Sequence, residues 1–189
     1  MKIIQPGMAR QFLSVFLSHI VSVVLMAAFA FMFVAMIMDK PAAYTATSVV
    51  MSLIYFAALY SKGHELAGRD KLSYTTTSTY LFKGAVLSLP VLVWNFVLWL
   101  LYIFAWNCLT LDGMLSSATG IIYNIVYVLN TFMFSGLAEI SGGKIAWHAH
   151  LYIYLIPFFA VTLGYIAGVY NFTIIEKLSP YIYEKKKKS

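Results

Sequence analysis

The chain has 189 residues, of which 61% are hydrophobic and 11% are charged. A water-soluble domain, whose apolar share is nearer half, has no means of shielding so much apolar surface, so the composition excludes a soluble fold and indicates one membrane domain over residues 1–189. The formal charge of +6 does not indicate nucleic acid, because the basic residues flank apolar runs as in loops that face anionic lipid.

Five apolar segments follow one another along the chain, and they are Phe12–Met38, Tyr44–Tyr60, Gly84–Trp106, Thr119–Ala138 and Ala149–Tyr170. A helix that crosses a bilayer needs about 20 residues at a rise of 1.5 Å each, so each segment is a candidate span. The first is too long for the apolar part of a signal peptide, and no small-residue cleavage site follows it. We therefore predict that it is the first span.

The basic residues argue against five crossings. With five spans, the 13 lysines and arginines divide seven to six between the two sides, which is no bias. If Thr119–Ala138 does not cross, eleven lie on one side and only Lys40 and Lys144 lie on the other. Because basic loops remain in the cytoplasm, this second count predicts that both termini are cytoplasmic.

The composition of the fourth segment favours the same interpretation. Five of its residues and Glu139, which follows it, form a polar stripe about 100° wide on a helix: Gly120, Asn124, Tyr127, Thr131, Ser135 and Glu139 belong to it. Such an amphipathic helix lies in the membrane interface or enters it re-entrantly. The alternative is a fifth span whose polar stripe faces the interior of the bundle.

The predicted fold is therefore an all-α polytopic membrane helix bundle of four transmembrane helices and one interfacial or re-entrant amphipathic helix, with five spans as the alternative. We expect a multi-pass protein of the plasma membrane. Residues 177–189 form a basic tail, which we predict to be disordered and to contact anionic head groups.

Small residues repeat every four positions in two of the spans. In lipid, helices associate through close backbone approach, so these repeats predict packing faces. The last span carries Ala160, Gly164 and Gly168, and the first carries Ser14, Ser18 and Ser22. We expect the two faces to dock on each other, with self-association as the alternative use.

Four residues are candidates for a ligand or polar contact: Asn95, Glu139, His148 and His150. Asn95 falls near the middle of the third segment, where an unpaired amide is costly, so it either contacts cargo or bonds another helix. His148 and His150 lie two residues apart, which on a helix separates them by about 200° and prevents a shared metal ion. We place them in an interfacial loop, and Glu139 where the chain meets water. The pattern predicts no catalytic, cofactor or metal site.

Charged residues concentrate between the second and third segments, at His64, Glu65, Arg69, Asp70 and Lys71. Contact with lipid head groups or phosphate is one interpretation. Solvated charges next to the membrane are the other, and no nucleotide-binding glycine loop is present in the sequence. We expect this stretch to be a cytoplasmic hinge.

The stretch Tyr60…Gly68-Arg69-Asp70-Lys71 and the stretch Lys83-Gly84…Ser88-Leu89-Pro90 resemble a hinge pattern of small uncharacterised multi-pass membrane proteins of Gram-positive bacteria. The run Leu163–Gly168 before Glu176-Lys177-Leu178 is similar to theirs as well. This chain departs from them in the hydroxyl-rich stretch Ser73–Tyr80. The resemblance implies a bacterial plasma-membrane location and no particular activity.

Two functions follow as hypotheses. The first is a non-enzymatic membrane component, an accessory subunit or scaffold that associates with other membrane subunits or with itself. The second is a small transporter or substrate-binding membrane subunit, which Asn95 and a re-entrant helix would favour. An intramembrane enzyme would need a nucleophile with a base or a metal cluster, and the sequence shows neither.

Overall fold

The structure is a computed structural model, and it describes residues 7–37, 41–72, 79–109, 120–121 and 147–172. Within these ranges the chain forms five helices and no strand, which confirms the all-α prediction. The helices are α1 (Met8–Ile37), α2 (Pro41–Asp70), α3 (Lys83–Leu87), α4 (Leu89–Leu109) and α5 (Trp147–Val169). The predicted tail 177–189 and nearly all of Thr119–Ala138 lie outside the described residues.

One stretch of α1, Met8–Phe29, is both long and apolar enough to cross a bilayer. Its 22 residues lie near the N-terminus and support association with a membrane. Leu89–Leu101 in α4 and Leu155–Val169 in α5 are shorter apolar stretches of the described chain. Crossing by four helices therefore stays a prediction.

Helix α2 is 30 residues long and continues well beyond the predicted end at Tyr60. The charged residues expected in a hinge are helical, because they pair at helical spacing. Lys62 Nζ lies 2.9 Å from Glu65 Oε2, and Arg69 lies 2.5 Å from Glu65 Oε1. The hinge prediction was wrong for residues 62–70.

The third apolar segment is divided at Ser88 into α3 and α4. Pro90 explains the division, because it has no amide hydrogen and its ring crowds the preceding helical turn. The Ser88 amide still bonds Gly84 O at 3.1 Å, and the Ser88 hydroxyl donates to Ala85 O at 2.8 Å. The chain thus bends here without losing all of its helical bonds.

Glycines allow α2 and α5 to touch backbone to backbone. A Cβ on Gly164 would collide with the carbonyl oxygen of Tyr60, and one on Gly168 would lie 2.6 Å from the Ala67 Cβ. On the facing helix, a Cβ on Gly63 would lie 2.9 Å from the Tyr165 amide nitrogen. This is the most extensive contact between described helices.

The predicted docking of the α5 face on the serines of α1 was therefore wrong. Gly164 and Gly168 face α2, where Gly63 is the complementary small residue, and Ala160 is buried. Helix α1 packs mainly on α2 as well. Of its serines, Ser22 is buried and Ser14 and Ser18 are partly buried.

The contacts fix the direction of each helix. Gln11 meets Asp70 and His19 meets Tyr55, so α1 and α2 are antiparallel. Tyr60 faces Gly164 and His64 faces Gly168, so α2 and α5 are parallel.

Helix α4 runs in the direction of α1. Lys83, just before it, meets the same Asp70 as Gln11, and Phe16 packs edge-on against Trp94 with ring centroids 5.8 Å apart. The end of α4 and the start of α5 consequently lie together, at the end of the bundle opposite Asp70.

Candidate functional site

The carboxylate of Asp70 is the centre of a buried polar cluster at one end of the bundle. Lys83 Nζ donates to its Oδ2 at 2.6 Å, and the Tyr165 hydroxyl donates to the same oxygen at 2.7 Å. Gln11 Nε2 donates to Oδ1 at 2.6 Å. We call Gln11, Asp70, Lys83 and Tyr165 the Asp70 cluster, and it joins α1, α2, α3 and α5.

The Asp70 cluster contains a buried charge pair. The side chains of Asp70 and Lys83 are both 0% exposed. A buried ion pair is tolerated only when further hydrogen bonds satisfy its remaining atoms, and Gln11 and Tyr165 supply such bonds to the carboxylate. The negative charge is therefore neutralised and fully engaged within the protein.

Three polar atoms of this end of the bundle are buried without a hydrogen-bond partner among the described residues. They are the hydroxyl of Tyr80, Oε1 of Gln11 and Nε2 of His64. Burial raises the pKa of the Tyr80 phenol, and the nearby negative charge of Asp70 raises it further. A buried polar atom without a partner makes the folded state less favourable than a fully bonded one.

The charges on the outer side of α2 bond one another in the structure. Glu65 pairs with both Lys62 and Arg69, and its hydrogen bond with Lys62 is the main reason that its pKa lies below the ordinary value. Glu65 and Arg69 are exposed. Glu65 and Arg69 are therefore solvated helix-surface charges, as the simpler interpretation of the stretch expected. For Asp70 of the same stretch that interpretation was wrong, because its side chain is 0% exposed and pairs with Lys83.

Lys71 fastens the end of α2 to the end of α5. Its Nζ donates to Gly168 O at 2.7 Å and to Asn171 Oδ1 at 2.6 Å. Asn171 has a φ of 54°, and the Phe172 amide donates back to Ala167 O at 2.8 Å, which is the Schellman termination of a helix. The lysine thus adds a second donor to the Gly168 carbonyl, which also accepts from the Asn171 amide at 3.2 Å.

A second polar cluster lies deeper in the bundle. His19 Nδ1 and the Tyr55 hydroxyl are 2.7 Å apart, and the side chain of Asn95 lies beside the histidine. The three are only 1%, 2% and 2% exposed, respectively. We call His19, Tyr55 and Asn95 the His19 cluster, and it joins α1, α2 and α4.

The second ring nitrogen of His19 is buried as well. Among the described residues, Nε2 has no hydrogen-bond partner of good geometry, although the Asn95 side chain lies beside the ring. A neutral imidazole donates from one ring nitrogen and accepts at the other, so Nε2 retains the capacity for one further hydrogen bond.

The structure places the predicted site residues in three different situations. Asn95 is in the His19 cluster, next to other polar groups as predicted for a mid-span amide. His148 and His150 belong to the helical backbone at the start of α5, so their expected place in an interfacial loop was wrong. Glu139 lies outside the described residues.

The Asp70 cluster escaped sequence reasoning. Asp70 and Tyr165 are 95 positions apart, and no local pattern links them. The available signal was the opposite charge of Asp70 and Lys83, which lie at the two ends of the connection between the second and third apolar segments. This stretch contains several other charged residues, so the sequence did not show which acid pairs with which base.

Within the part of the chain that the structure describes, no three His, Cys, Asp or Glu side chains are grouped so as to hold a metal ion. The two clusters instead consist of an ion pair with its hydrogen bonds and of a histidine with neutral partners. Their chemistry is suited to holding helices together and to moving or binding a proton or small polar group.

Comparison with models of protein families, with curated proteins and with solved structures gives no match to this chain. The two clusters and the surface around them are therefore the basis for assigning a function.

Proposed function

We propose that the protein is a non-enzymatic integral membrane component, an accessory subunit or scaffold of a membrane complex. The observation that carries this proposal is the distribution of polarity across the bundle. The Asp70 and His19 clusters turn inward, whereas large apolar side chains of α1 and α4 point outward. These exposed side chains include Leu13, Leu17, Val21 and Phe29 on α1 and Val93, Phe96, Leu100 and Phe104 on α4.

Such an outer surface matches lipid tails and the apolar faces of other membrane helices. The small-residue face of α5, which makes the closest helix contacts, packs against α2 inside the bundle. Association with other subunits would therefore use the exposed apolar faces rather than the glycines. The cell membrane, and that of a Gram-positive bacterium in particular, is the location we propose.

We further propose that α1, α2, α4 and α5 each cross the membrane, with both termini in the cytoplasm. The end of α4 and the start of α5 lie at the same end of the bundle. This supports a segment Thr119–Ala138 that does not cross. The basic residues at the Asp70 end, Arg10, Lys62, Arg69, Lys71 and Lys83, support a cytoplasmic position for that end.

Cysteine-accessibility mapping tests this topology. In a background without Cys108, Gly113→Cys and Gly143→Cys are expected to react with a membrane-impermeant maleimide from outside intact cells. Lys186→Cys is expected to react only after the membrane is opened. Labelling of Lys186→Cys in intact cells would contradict the even number of crossings.

The second candidate function is a small transporter or substrate-binding membrane subunit. It is favoured by one observation, the buried Nε2 of His19, which lies beside Asn95 and has no hydrogen-bond partner of good geometry among the described residues. Polar groups of this kind inside a membrane bundle mark proton or substrate paths in many transporters. Asn95 would then contact the cargo.

Purification in mild detergent separates the two candidates. For an accessory subunit, we expect co-elution with a second membrane protein at fixed stoichiometry, and no change of melting temperature with candidate small molecules. A ligand-dependent rise in melting temperature that Asn95→Leu abolishes would favour the transporter. If the rise survives Asn95→Leu, the contact between Asn95 and cargo is wrong.

A further inference from the structure

Within the part of the chain that the structure describes, every Lys, Arg, Asp and Glu side chain lies at the Asp70 end of the bundle. The acidic residues are Glu65 and Asp70, and the basic residues are Arg10, Lys62, Arg69, Lys71 and Lys83. Asp70 and Lys83 neutralise each other in the buried ion pair. Four basic side chains and a single acidic one remain outside that pair, so this end of the bundle carries an excess of positive charge.

Arg10 and Lys71 form no ion pair with an acidic side chain among the described residues. The carboxylate of Glu65 is already shared by Lys62 and Arg69. Lys71 bonds a backbone carbonyl and an amide side chain, both of which are neutral. Arg10 and Lys71 are exposed, so their charges are open to an anion outside the bundle.

Aromatic side chains are exposed beside these charges. Phe82, Tyr170 and Phe172 are 66%, 69% and 40% exposed, respectively. Tyr170 and Phe172 flank the asparagine that bonds Lys71, and Phe82 directly precedes the lysine of the buried ion pair. Exposed rings next to basic groups are typical of the membrane interface, where the rings lie at the level of the head groups.

We call Arg10, Lys71, Phe82, Tyr170 and Phe172 the basic aromatic rim. The rim differs from the outer faces of α1 and α4, where the exposed large side chains are apolar and no charged residue lies among them. Those faces match lipid tails. The rim instead matches the zone in which the tails meet charged head groups.

Charge and apolar surface together identify the occupant of the rim. A soluble anion would balance the basic groups but would leave the aromatic rings in water. A zwitterionic lipid would cover the rings but would bring no net negative charge. An anionic phospholipid does both, and its phosphate oxygens suit the fork of an arginine and the ammonium of a lysine.

We propose that the basic aromatic rim binds anionic phospholipids. Arg10 and Lys71 contact their phosphate groups, and the three aromatic rings contact the glycerol and the upper part of the acyl chains. The inference rests on the membrane location in the proposed function, and it adds the class of lipid that this end of the bundle selects.

Native mass spectrometry of the full chain in a non-ionic detergent tests the rim. Titration with phosphatidylglycerol and with phosphatidylcholine of identical acyl chains gives a Kd for each lipid. We expect the wild type to bind phosphatidylglycerol about tenfold or more tightly, because each basic group near an anionic lipid contributes about a fivefold preference. Equal Kd values for the two lipids would overturn the proposal.

The double variant Arg10→Gln and Lys71→Gln is expected to raise the Kd for phosphatidylglycerol about tenfold or more and to leave the Kd for phosphatidylcholine unchanged. The double variant Arg10→Lys and Lys71→Arg keeps both charges, so we expect it to retain the preference. Phe82→Ala combined with Tyr170→Ala is expected to weaken both lipids by a similar factor, because the rings contact parts that the two lipids share. Unchanged affinity for both lipids in that variant would contradict the rim.

Lys62→Gln is the matched control for Arg10→Gln, because each removes one positive charge from the same end of the bundle. Lys62 pairs with Glu65 and lies outside the rim, so we expect its Kd for phosphatidylglycerol to change less than about twofold, against about fivefold for Arg10→Gln. Equal changes would show a general effect of charge and would overturn a defined site.

Competitors distinguish the lipid from other anions. Displacement of phosphatidylglycerol by millimolar inorganic phosphate would overturn the lipid in favour of a soluble anion. Displacement by polyglutamate would overturn it in favour of an acidic protein. Equal binding of both lipids would overturn the rim alone, whereas a chain that stays in solution without detergent and retains neither lipid would overturn the proposed function as well.

Discussion

Gly164→Leu is expected to prevent assembly of the bundle, with a loss of about 3 kcal/mol or more in the free energy of unfolding. Even a Cβ at this position would collide with the Tyr60 carbonyl oxygen, and would lie 2.9 Å from the Tyr60 Cα. Both are backbone atoms of a long helix and have no rotamer by which to move aside. Only separation of α2 from α5 would make room, and that separates the most extensive helix contact described.

The measurement is unfolding of the purified protein by a denaturing detergent in mixed micelles, followed by circular dichroism. Gly68→Ala is the matched control, since Gly68 lies on α2 a short distance from the same interface and a Cβ there meets nothing within 4 Å. It is expected to be neutral or to stabilise by roughly 0.5–1 kcal/mol, because alanine favours the helix. Unaltered stability of Gly164→Leu would show that α5 does not pack on α2 as described.

Lys83→Met is expected to destabilise the protein by about 3–5 kcal/mol, because it leaves Asp70 buried without its counter-ion. The remaining donors, Gln11 and Tyr165, bond the carboxylate but do not neutralise it. Asp70→Asn combined with Lys83→Met removes both charges. We expect the double variant to recover most of the lost stability, because replacing both members of a buried ion pair together often changes the free energy of unfolding little.

The same detergent titration measures this effect as a double-mutant cycle with Asp70→Asn alone. Lys62→Met serves as the control. Its loss in the free energy of unfolding is expected to stay within about 1 kcal/mol, because the Lys62–Glu65 pair lies on the surface. Equal losses for Lys83→Met and Lys62→Met would mean that the Asp70–Lys83 pair is hydrated.

The all-α fold and the approximate positions of the described helices are predictable from the sequence, because long apolar runs have few structural alternatives. The ends of α2 are not, since its charged last turns resemble a hinge until the pairing of Lys62, Glu65 and Arg69 at helical spacing is considered. The signal in the sequence for the division of α3 from α4 is Pro90, because proline removes a helical hydrogen bond.

The packing partners were less predictable than the elements. The repeat Ala160, Gly164 and Gly168 correctly indicates a close helix contact, but a small-residue face has no feature that names its partner. The partner is α2, because the backbone of Gly63 and Tyr60 is accessible to close contact with α5. Asn95 was identified from the sequence as a buried polar residue. Tyr55 of the same cluster was not, because the second apolar segment contains several aromatic residues and nothing distinguishes Tyr55 from the others.

The Asp70 cluster is completed late in the synthesis of the chain, because its members are far apart in the sequence. Asp70 emerges 13 residues before Lys83 and 95 residues before Tyr165. At about 5–20 residues per second, the carboxylate waits roughly 5 to 20 s for the tyrosine hydroxyl. A nascent hairpin of α1 and α2 therefore carries the negative charge of Asp70 without its counter-ion until Lys83 is made. The Asp70 end of the bundle is the last to exclude water, because it needs Tyr165 of α5.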